Sequence, residues 1–365
     1  MKVLHVEAGM HLYGGALQVV FLLQGLHGAG DQHLLACPTG SAIADAARPY
    51  ATAVHEMPMK GDADVGLVGR LRKLIRQERP DVVHLHSRRG SDLWGGLAAR
   101  LEGVPAVLSR RVDNPESRAW VALKYRLYRR VIAISNGIRD VLLDEGVPAD
   151  KVVCVHSSVD TERYRPGGGD RPWFLSEFGL EPGQPVLAMV AQFIARKGHR
   201  TLIDAMPAVL QAHPRARVLL FGQGPEQPAI DELIRARGLQ GSVVLAGFRN
   251  DLQRVLPCLD VVVHPATMEG LGVALLQAAA CGVPMVAARA GGIPEIVVDG
   301  RTGILIEPGD APALARGIVT LLDAPALRAE YGGAGRALAL NEFSVEAMVR
   351  GNRAVYQQAV AGLGR

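Results

Sequence analysis

The residues best suited to chemistry lie in loops that follow predicted strands in the second half of the chain. Lys197 comes after the strand VLAMVAQF, and Gly222-Gln223-Gly224 comes after ARVLLFG. Glu269 comes after VVVHPA, just before an apolar helix. A lysine offers a point charge, glycines let the backbone approach a ligand closely, and a helix start has free N–H groups. Together these loops predict a site for a diphosphate.

Two parallel sheets are needed to position these loops. In the first half, short strands such as KVLHVEA, DVVHLHS and VIAISN alternate with helices of about ten residues, which is typical of βα units. The same alternation restarts at VLAMVAQF and continues to TGILIEP. Ligands of open α/β sheets bind beyond the carboxyl ends of the strands. We therefore expect an α/β protein of two doubly wound, Rossmann-like domains that face a cleft, with the site in that cleft.

A stretch rich in Gly and Pro, from Tyr164 to Pro185, interrupts the alternation and contains the predicted linker. We expect an N-terminal domain over residues 1–165, a linker over 166–184 and a second domain over 185–343. A final helix over 344–365 follows a completed domain. We expect it to pack back on a neighbouring part of the chain, and the N-terminal domain is the candidate.

Composition limits the class of protein. The cysteines form no CxxC pair and lie far apart, so we expect neither a disulfide framework nor a metal site, which favours a reducing cytosol. The first residues, MKVLHVEAGM, have too short an apolar run for a signal peptide. No stretch approaches the roughly 18 apolar residues of a membrane span. We expect a cytoplasmic protein.

The region from residue 70 to residue 130 is strongly basic, with 15 Lys and Arg residues against 6 Asp and Glu. A basic face attracts phosphate, whether in an anionic lipid, a phosphorylated acceptor or a nucleic acid. The other interpretation is a set of ordinary solvated helix faces. The residues that suggest a binding face for an acceptor or a membrane are Arg88, Arg89, Arg110, Arg111, Lys124, Arg126, Arg129 and Arg130.

One glycine motif argues against a nicotinamide enzyme. In GQGPEQ, residues 222–227, the third glycine of a dinucleotide-binding fingerprint is replaced by Gln227. That fingerprint belongs after the first strand, where this chain has AGMHLYGG instead. We therefore do not expect an oxidoreductase.

Several segments resemble the retaining glycosyltransferases of family 4, which have the GT-B fold. The segments similar to the family's nucleotide-sugar domain are VAQFIARKGHRTLIDA, LLFGQGPE, VVLAGFRNDL, HPATMEGLGVALLQAAACGVPMVA and GGIPEIVVDGRTGILIEPGD. YGGA and PDVVHLHS resemble its acceptor-side half. The resemblance spans nearly the whole chain and is most specific from residue 264 to residue 309.

The resemblance implies roles for particular residues. Glu269, the first position of the family's glutamate–seven residues–glutamate motif, would contact the donor sugar. Lys197 and Gly270-Leu271-Gly272 would hold the diphosphate, and His86 would face the transferred sugar, so that Glu269, His86 and Lys197 form the catalytic set. The other implied donor-binding residues are Gly14, Gly15, Gln192, Arg196, Gly222, Gly224, Phe248 and Gln277.

Two positions depart from the family's pattern. Gln277 stands where the second glutamate of the motif is expected, and Gln192 stands where the family commonly has an arginine for the diphosphate. An amide keeps an acceptor oxygen for a ribose hydroxyl but gives up the charge, so donor binding should weaken rather than vanish. Arg196, next to Lys197, would replace part of the missing charge.

The resemblance implies an enzyme that moves a sugar from a nucleotide-diphosphate sugar to a cell-envelope glycan or glycolipid acceptor, with retention of anomeric configuration. The acceptor would be a lipopolysaccharide core or a polyprenyl-linked chain, and UDP-sugar is favoured over GDP-sugar. No cofactor and no nucleic-acid partner are expected. No metal is expected either, because a lysine and a helix dipole can stabilise the leaving diphosphate. The basic region fits an acceptor anchored in anionic lipid, and hence a protein peripheral to the inner face of the cytoplasmic membrane.

Two alternatives to that function remain. One is a catalytically weak partner subunit that binds nucleotide sugar without transferring it, which Gln192 and Gln277 suggest. The other is a hydrolase or epimerase on the same fold, which would need no acceptor.

Overall fold

A computed structural model gives the fold of the chain and describes residues 1–88 and 90–361. Arg89, one of the predicted basic residues, lies outside the described residues. The chain divides into two compact units. Unit 1 comprises Met1–Ser158 together with the segment that starts at Val345, and unit 2 comprises Val159–Ser344.

Unit 1 is built on a parallel sheet, to which the described residues contribute seven strands in the order β3-β2-β1-β4-β5-β6-β7. The strands are Lys2–Val6 (β1), Gln32–Pro38 (β2), Ala53–Met57 (β3), Val82–Leu85 (β4), Ala106–Arg110 (β5), Arg130–Ala133 (β6) and Val152–Cys154 (β7). The helices between them are Gly14–Leu26 (α1), Ala42–Ala47 (α2), Gly66–Glu78 (α3), Ser91–Leu101 (α4), Arg118–Lys124 (α5) and Asn136–Asp144 (α6). The residues of β4 and β5 are all buried, as is usual for central parallel strands covered on both faces.

Unit 2 has a second parallel sheet, in which six strands of the described chain follow the order β10-β9-β8-β11-β12-β13. The strands are Val186–Val190 (β8), Arg217–Phe221 (β9), Val243–Gly247 (β10), Val261–His264 (β11), Met285–Ala288 (β12) and Gly303–Ile306 (β13). The helices are Arg171–Glu177 (α7), His199–Ala212 (α8), Gln227–Ala236 (α9), Leu252–Val255 (α10), Val273–Ala280 (α11), Ile293–Ile296 (α12), Ala311–Asp323 (α13) and Pro325–Glu342 (α14). Apolar side chains of α8 and α13 form one buried cluster with those of the central strands.

Each sheet has a reversal point, which is the place where the order of its strands changes direction. It lies between β1 and β4 in unit 1 and between β8 and β11 in unit 2. These topologies confirm the predicted α/β class with two doubly wound, Rossmann-like domains. At a reversal point the loops after two adjacent strands leave in opposite directions and make a crevice for a ligand.

The boundary between the units differs from the predicted one. Residues 159–165 and the expected linker, 166–184, all belong to unit 2. The reason is aromatic packing: Phe174 of α7 is buried, and the ring of Phe178 lies 5.6 Å from that of Phe221 in β9. The change of unit, between Ser158 and Val159, therefore precedes the Gly- and Pro-rich stretch, and that stretch is part of the second domain rather than a separate linker.

The last helix, Val345–Ala361 (α15), belongs to unit 1. Its Met348 and Tyr356 are buried in a cluster that includes Leu22 of α1. The hydroxyl of Tyr356 lies 2.7 Å from Nδ1 of His84 in β4. The expected helix extended to residue 365, and its last four residues lie outside the described part of the chain. Like the other helices of residues 1–88 and 90–361, α15 lacks the length and apolar character needed to cross a lipid bilayer.

Candidate functional site

The loops after β8 and β11 meet at the reversal point of unit 2. Lys197 ends a short 3₁₀ turn, Ala195–Lys197, after β8, and Glu269 lies in the loop after β11. The Nζ atom of Lys197 lies 2.6 Å from Oε2 of Glu269, and Nε2 of His264, the last residue of β11, lies 2.8 Å from the same oxygen. The structure therefore brings together two residues that the sequence placed in one site, and it adds a histidine that sequence reasoning missed.

Glu269 is an ionised carboxylate in a partly buried position. Burial by itself raises the pKa of this carboxyl, but the hydrogen bond with His264 and the charge of Lys197 outweigh it and lower the pKa from 4.5 to about 2. The side chains of Lys197 and Glu269 are 12% and 15% exposed, so water screens their pairing less than it screens a surface ion pair. In this structure Lys197 therefore forms an ion pair with Glu269.

Two left-handed glycines let the loops of this pair approach each other. Gly198, directly after Lys197, has φ of 79°, and a Cβ atom there would lie 2.0 Å from the carbonyl oxygen of Pro265. Gly291, after β12, has φ of 51°, and a Cβ atom there would lie 1.9 Å from the carbonyl oxygen of Glu269. A side chain at either position would push the Glu269 loop away from Lys197.

The segment predicted to hold the diphosphate, Gly270–Gly272, leads directly into α11. Gly272 has φ of 99° and is the N-cap residue of the helix. The positive end of the helix dipole therefore lies next to the loop that carries Glu269. The side chain of Leu271 is buried in the core, 1% exposed, so only the backbone of this predicted donor-binding residue can meet a ligand.

The remaining predicted donor-binding residues of unit 2 are spread over the same edge of the sheet. Gln192 and Phe248 are exposed in the loops after β8 and β10. Arg196 is half-buried, with a guanidinium nitrogen 3.7 Å from Sδ of Met268. Gln277 is half-buried on α11. Gly222 and Gly224 follow β9.

Unit 1 has a cavity of about 400 Å³ beside its own reversal point. The loops after β1, β4 and β5 line it, and we name it the carboxyl-edge cavity. Its lining includes the predicted residues Gly15, His86, Arg88 and Arg111, and also Glu7, which sequence reasoning missed. Gly14 and Gly15 begin α1, and a Cβ atom on Gly15 would lie 3.3 Å from Cδ of Arg111.

His86 belongs to a chain of buried, hydrogen-bonded histidines. Its Nε2 lies 2.9 Å from Nδ1 of His5, and Nε2 of His5 lies 3.1 Å from Nδ1 of His33. On the other side, Nδ1 of His86 lies 3.4 Å from a guanidinium nitrogen of Arg111. Arg111 can only donate, so His86 accepts at Nδ1 and donates from Nε2 to His5, which donates in turn to His33.

Burial keeps these imidazoles neutral. It lowers the pKa of His5 and His86 well below the ordinary value of 6.5 and that of His33 to about 4. His86 is only 1% exposed. His86 therefore lines the carboxyl-edge cavity as a fixed, neutral imidazole, and its contact with the transferred sugar stays a prediction.

The signal for this cluster was present in the sequence. His84 lies in β4 and His86 directly follows the strand, two residues on, where its backbone N–H still donates to the carbonyl of Val6; both side chains therefore lie on the same face, with ring centroids 3.7 Å apart. His5 of β1 is paired with His84 in the sheet register. Ring nitrogens of the three histidines lie within 4.8 Å of one another, as metal ligands do, but Tyr356 and Ser109 engage both nitrogens of His84.

Two of the predicted basic binding residues are buried and neutralised. Arg110 and Lys124 are 2% and 1% exposed. Glu116 accepts from both, at 2.5 Å from Arg110 and 2.7 Å from Lys124, and Asp92 lies 3.1 Å from Lys124. The prediction that these two residues face a lipid or a phosphate is wrong, because the fold surrounds them with acids.

The other predicted basic residues that the structure describes lie at two different ends of unit 1. Arg88 and Arg111 line the carboxyl-edge cavity. Arg126, Arg129 and Arg130 lie at the opposite edge, at or just before the start of β6. The basic residues of this region therefore do not form a single face. They form one cluster at each edge of the sheet, and Arg110 and Lys124 are neutralised in the core.

Two protein-family models match the chain. Residues 184–324 match a model described as Glycosyl transferases group 1, and residues 13–163 match one described as Glycosyltransferase Family 4. The first match falls within unit 2, and most of the second falls within unit 1.

Individual relatives agree with these models. A GDP-mannose-dependent alpha-(1-6)-phosphatidylinositol monomannoside mannosyltransferase of Mycolicibacterium smegmatis is 33% identical over 295 residues, which is 76% of each chain. An alpha-maltose-1-phosphate synthase of the same organism is 29% identical over 91% of each chain. The Anabaena protein HepE, solved in complex with UDP, superposes with a TM-score of 0.86 at 22% identity, over 98% of this chain and 100% of that one. This last likeness shows the fold.

The substitution Glu269→Gln should lower stability in a pH-dependent way. The Glu269 charge stabilises the fold above pH 4.5, and this contribution is lost as the pH falls toward about 2, where the folded protein takes up the proton. At neutral pH we expect the wild-type free energy of unfolding to exceed that of the variant by up to the order of 3 kcal/mol. Urea unfolding at a series of pH values measures the difference, and a difference that stays constant across this range contradicts the assignment.

Proposed function

The chain belongs to the GT-B glycosyltransferases, and on that premise we propose that it moves a sugar from a nucleotide-diphosphate sugar to a cell-envelope glycan acceptor with retention of anomeric configuration. The observation that carries the proposal is the contact of 2.6 Å between Lys197 and Glu269 at the reversal point of unit 2. A cation and an acid side by side suit a donor that has an anionic leaving group next to a sugar rich in hydroxyls.

Donor binding would rearrange the charges around Lys197. The diphosphate competes with Glu269 for the lysine, and Glu269, still in contact with His264, is then able to accept hydrogen bonds from the sugar. The start of α11 adds the positive end of its dipole on the same side. Lysine and helix together would stabilise charge that develops on the leaving diphosphate in the transition state.

Retention follows if the leaving group and the acceptor share one face of the sugar. The bond from the anomeric carbon to the phosphate oxygen breaks, the acceptor oxygen bonds to that carbon from the same face, and the acceptor proton passes to the leaving phosphate. Glu269 then binds the sugar and does not attack it. The hydrogen bond with His264, which remains when the diphosphate takes Lys197, lowers the pKa of Glu269 and supports this role, because a weak base is a poor acceptor of the proton.

A uridine nucleotide is the favoured donor. The complex of HepE with UDP supports this choice, whereas the mannosyltransferase relative is named for GDP-mannose. Phe248, 58% exposed after β10, offers an aromatic face on which a base can stack. No further cofactor is needed for this chemistry.

The carboxyl-edge cavity of unit 1 is the proposed acceptor site. Arg88 and Arg111 line it, and in the described chain the buried Nε of Arg111 has no hydrogen-bond partner. A guanidinium with an unused donor beside a cavity of about 400 Å³ suits an acceptor that carries a phosphate. The names of two relatives, which specify a phosphatidylinositol monomannoside and maltose 1-phosphate, support such an acceptor.

We also propose that the protein works as a peripheral protein on the inner face of the cytoplasmic membrane. Helix α5 exposes Trp120 by 39% and Leu123 by 59%, and the exposed Arg118 lies on the same helix. Aromatic and aliphatic side chains next to an arginine suit the boundary between lipid tails and anionic headgroups.

A catalytically weak nucleotide-sugar-binding subunit is the second candidate. Gln192 and Gln277 favour it, because neither supplies the charge that the family's pattern has at these positions. Turnover of a UDP-sugar by the purified protein separates the two candidates. Release of free sugar or of an altered nucleotide sugar without acceptor would instead indicate a hydrolase or an epimerase.

The substitution Glu269→Ala should abolish transfer and leave UDP binding at least as tight as in the wild type. The reason is that Lys197 and α11 remain to hold the diphosphate, and the lysine no longer pairs with a glutamate. Initial rates and calorimetric titration with UDP measure the two effects, with the exposed Glu330→Ala of α14 as the matched control. Wild-type turnover in Glu269→Ala would remove the central assignment.

The substitution Gln277→Glu should tighten nucleotide binding by about tenfold. A hydrogen bond from a ribose hydroxyl to a charged group contributes about 1.5–3 kcal/mol, against about 0.5–1.5 for a neutral one, and about 1.4 kcal/mol is tenfold. Calorimetric titration with UDP and with GDP is the measurement, and Gln211→Glu, at an exposed position of α8, controls for the added charge. Weaker binding would mean that the ribose argument fails, and no change would make Gln277 a plain helix residue.

The double substitution Trp120→Ser with Leu123→Ser should reduce binding to vesicles of phosphatidylcholine and phosphatidylglycerol, because it removes the apolar part of the α5 face. Wild-type binding should also fall with added salt. Flotation measures both effects. Val65→Ser with Leu340→Ser, at two other exposed apolar positions, is the control. Equal binding to neutral and anionic vesicles, or none to either, contradicts the membrane proposal.

A further inference from the structure

A second concave site lies at the opposite edge of the sheet in unit 1. This cavity of about 370 Å³ opens at the amino ends of β5, β6 and β7, and we name it the amino-edge cavity. Its basic lining residues are Arg100, Arg126, Arg129, Arg130 and Lys151, and its acidic one is Asp150. So many cations in one concave place create a strong positive potential.

Lys151 is held in this cavity by backbone groups. Its Nζ donates to the carbonyl oxygens of Tyr125 and Tyr128, at 3.2 and 3.1 Å. Burial lowers the pKa of Lys151, Asp150 raises it, and the charges of three neighbouring arginines lower it further. Carbonyl oxygens orient the ammonium group without cancelling its charge. The ammonium group and the neighbouring arginines therefore repel one another, and an anion bound in the cavity would reduce that repulsion.

The arginines of the amino-edge cavity have unused donors. Arg100 and Arg130 each donate to a backbone carbonyl, at 3.4 and 3.2 Å, and Arg130 also reaches the side chain of Gln358 at 3.4 Å. Across residues 1–88 and 90–361, the guanidinium groups of Arg126 and Arg129 form no side-chain hydrogen bond or ion pair. Each guanidinium is a rigid fork of five N–H donors that matches the oxygens of a phosphate.

The buried cluster in the same region shows what neutralisation within the fold looks like. There, Arg110 and Lys124 meet the carboxylates of Glu116 and Asp92 at 2.5 to 3.1 Å. The amino-edge cavity has five cations and one exposed acid. These cations are therefore not neutralised within the fold, and Arg126 and Arg129 are exposed, which leaves them able to bind an anion.

The amino-edge cavity is separate from the carboxyl-edge cavity. Ala106, the first residue of β5, lines the former, and Ser109, near the end of the same strand, lines the latter. Three residues along a strand span about 10 Å. A ligand in one cavity does not fill the other.

We propose that the amino-edge cavity is a binding site for a phosphate monoester or a diphosphate, separate from the donor and acceptor sites. The guanidinium groups of Arg126 and Arg129 would donate hydrogen bonds to the phosphate oxygens, and the ammonium group of Lys151 would add a positive charge at a fixed position. A soluble phosphate ester and the headgroup of an anionic lipid offer the same chemistry. The proposal does not rest on the transferase function, because it is built on charges at the other edge of unit 1.

The test compares three full-length proteins: the wild type, Arg126→Gln with Arg129→Gln, and Arg139→Gln with Arg350→Gln. The second pair are exposed arginines of unit 1 outside the amino-edge cavity, so both variants lose the same net charge. Inorganic pyrophosphate is titrated by calorimetry without nucleotide, because UDP would itself bring a diphosphate to the amino-edge cavity. A donor site in unit 2 is unchanged in all three proteins and contributes equally to each titration. Vesicles of phosphatidylcholine with and without phosphatidic acid form the second arm, and circular dichroism checks folding.

We expect the cavity variant to bind pyrophosphate at least about tenfold more weakly than the wild type, because charge-assisted hydrogen bonds are lost. The control variant should match the wild type. Loss of pyrophosphate binding with unchanged vesicle binding assigns the site to a soluble phosphate ester, and loss of binding to phosphatidic acid vesicles assigns it to a lipid headgroup. If the cavity variant behaves like the control in both arms, the proposal is wrong, whether or not the protein transfers a sugar.

Discussion

The pairing of Glu269 with Lys197 sets the requirements for much of unit 2. A carboxylate that is 15% exposed stays charged only where an opposite charge and hydrogen bonds replace the lost water. The lysine comes from the loop after β8 and a histidine from the end of β11, and these strands are neighbours in the sheet. Gly198 and Gly291 then allow the loops to come into contact. The strand order, the two glycines and the ion pair therefore belong to one constraint.

Much of this arrangement could be predicted from the sequence, because local patterns determine it. Apolar strands that alternate with helices predict parallel sheets, and loops after parallel strands share an edge. Lys197 and Glu269, 72 residues apart, were expected in one site for that reason, and they are in contact. His264 was missed because a histidine at the end of an apolar strand looks like a core residue until its partner is placed.

Long-range partners explain what could not be predicted. A count of charges shows that the region from 70 to 130 is basic, but it does not show which cation pairs with which acid. In the fold, Arg110 and Lys124 are buried and both pair with Glu116. The boundary between the units was misplaced for a similar reason. Gly and Pro indicate turns, whereas the unit to which a segment belongs depends on where an aromatic side chain such as Phe174 is buried.

The histidine chain of unit 1 links the carboxyl-edge cavity to the core behind it. Arg111 has no acceptor atom, so its contact with His86 fixes the direction of every donor in the chain as far as His33. The chain ends at Nε2 of His33, a buried donor with no hydrogen-bond partner in the described chain, which costs free energy. If every donor in the chain were reversed, the Nδ1–H of His86 would point at the guanidinium of Arg111, which is also a donor. Two donors would then face each other at the edge of the cavity, one neutral and one charged. The guanidinium proposed to hold the acceptor thus also determines the proton positions of the core, so that in unit 1 ligand binding and the hydrogen bonding of the fold depend on the same side chain.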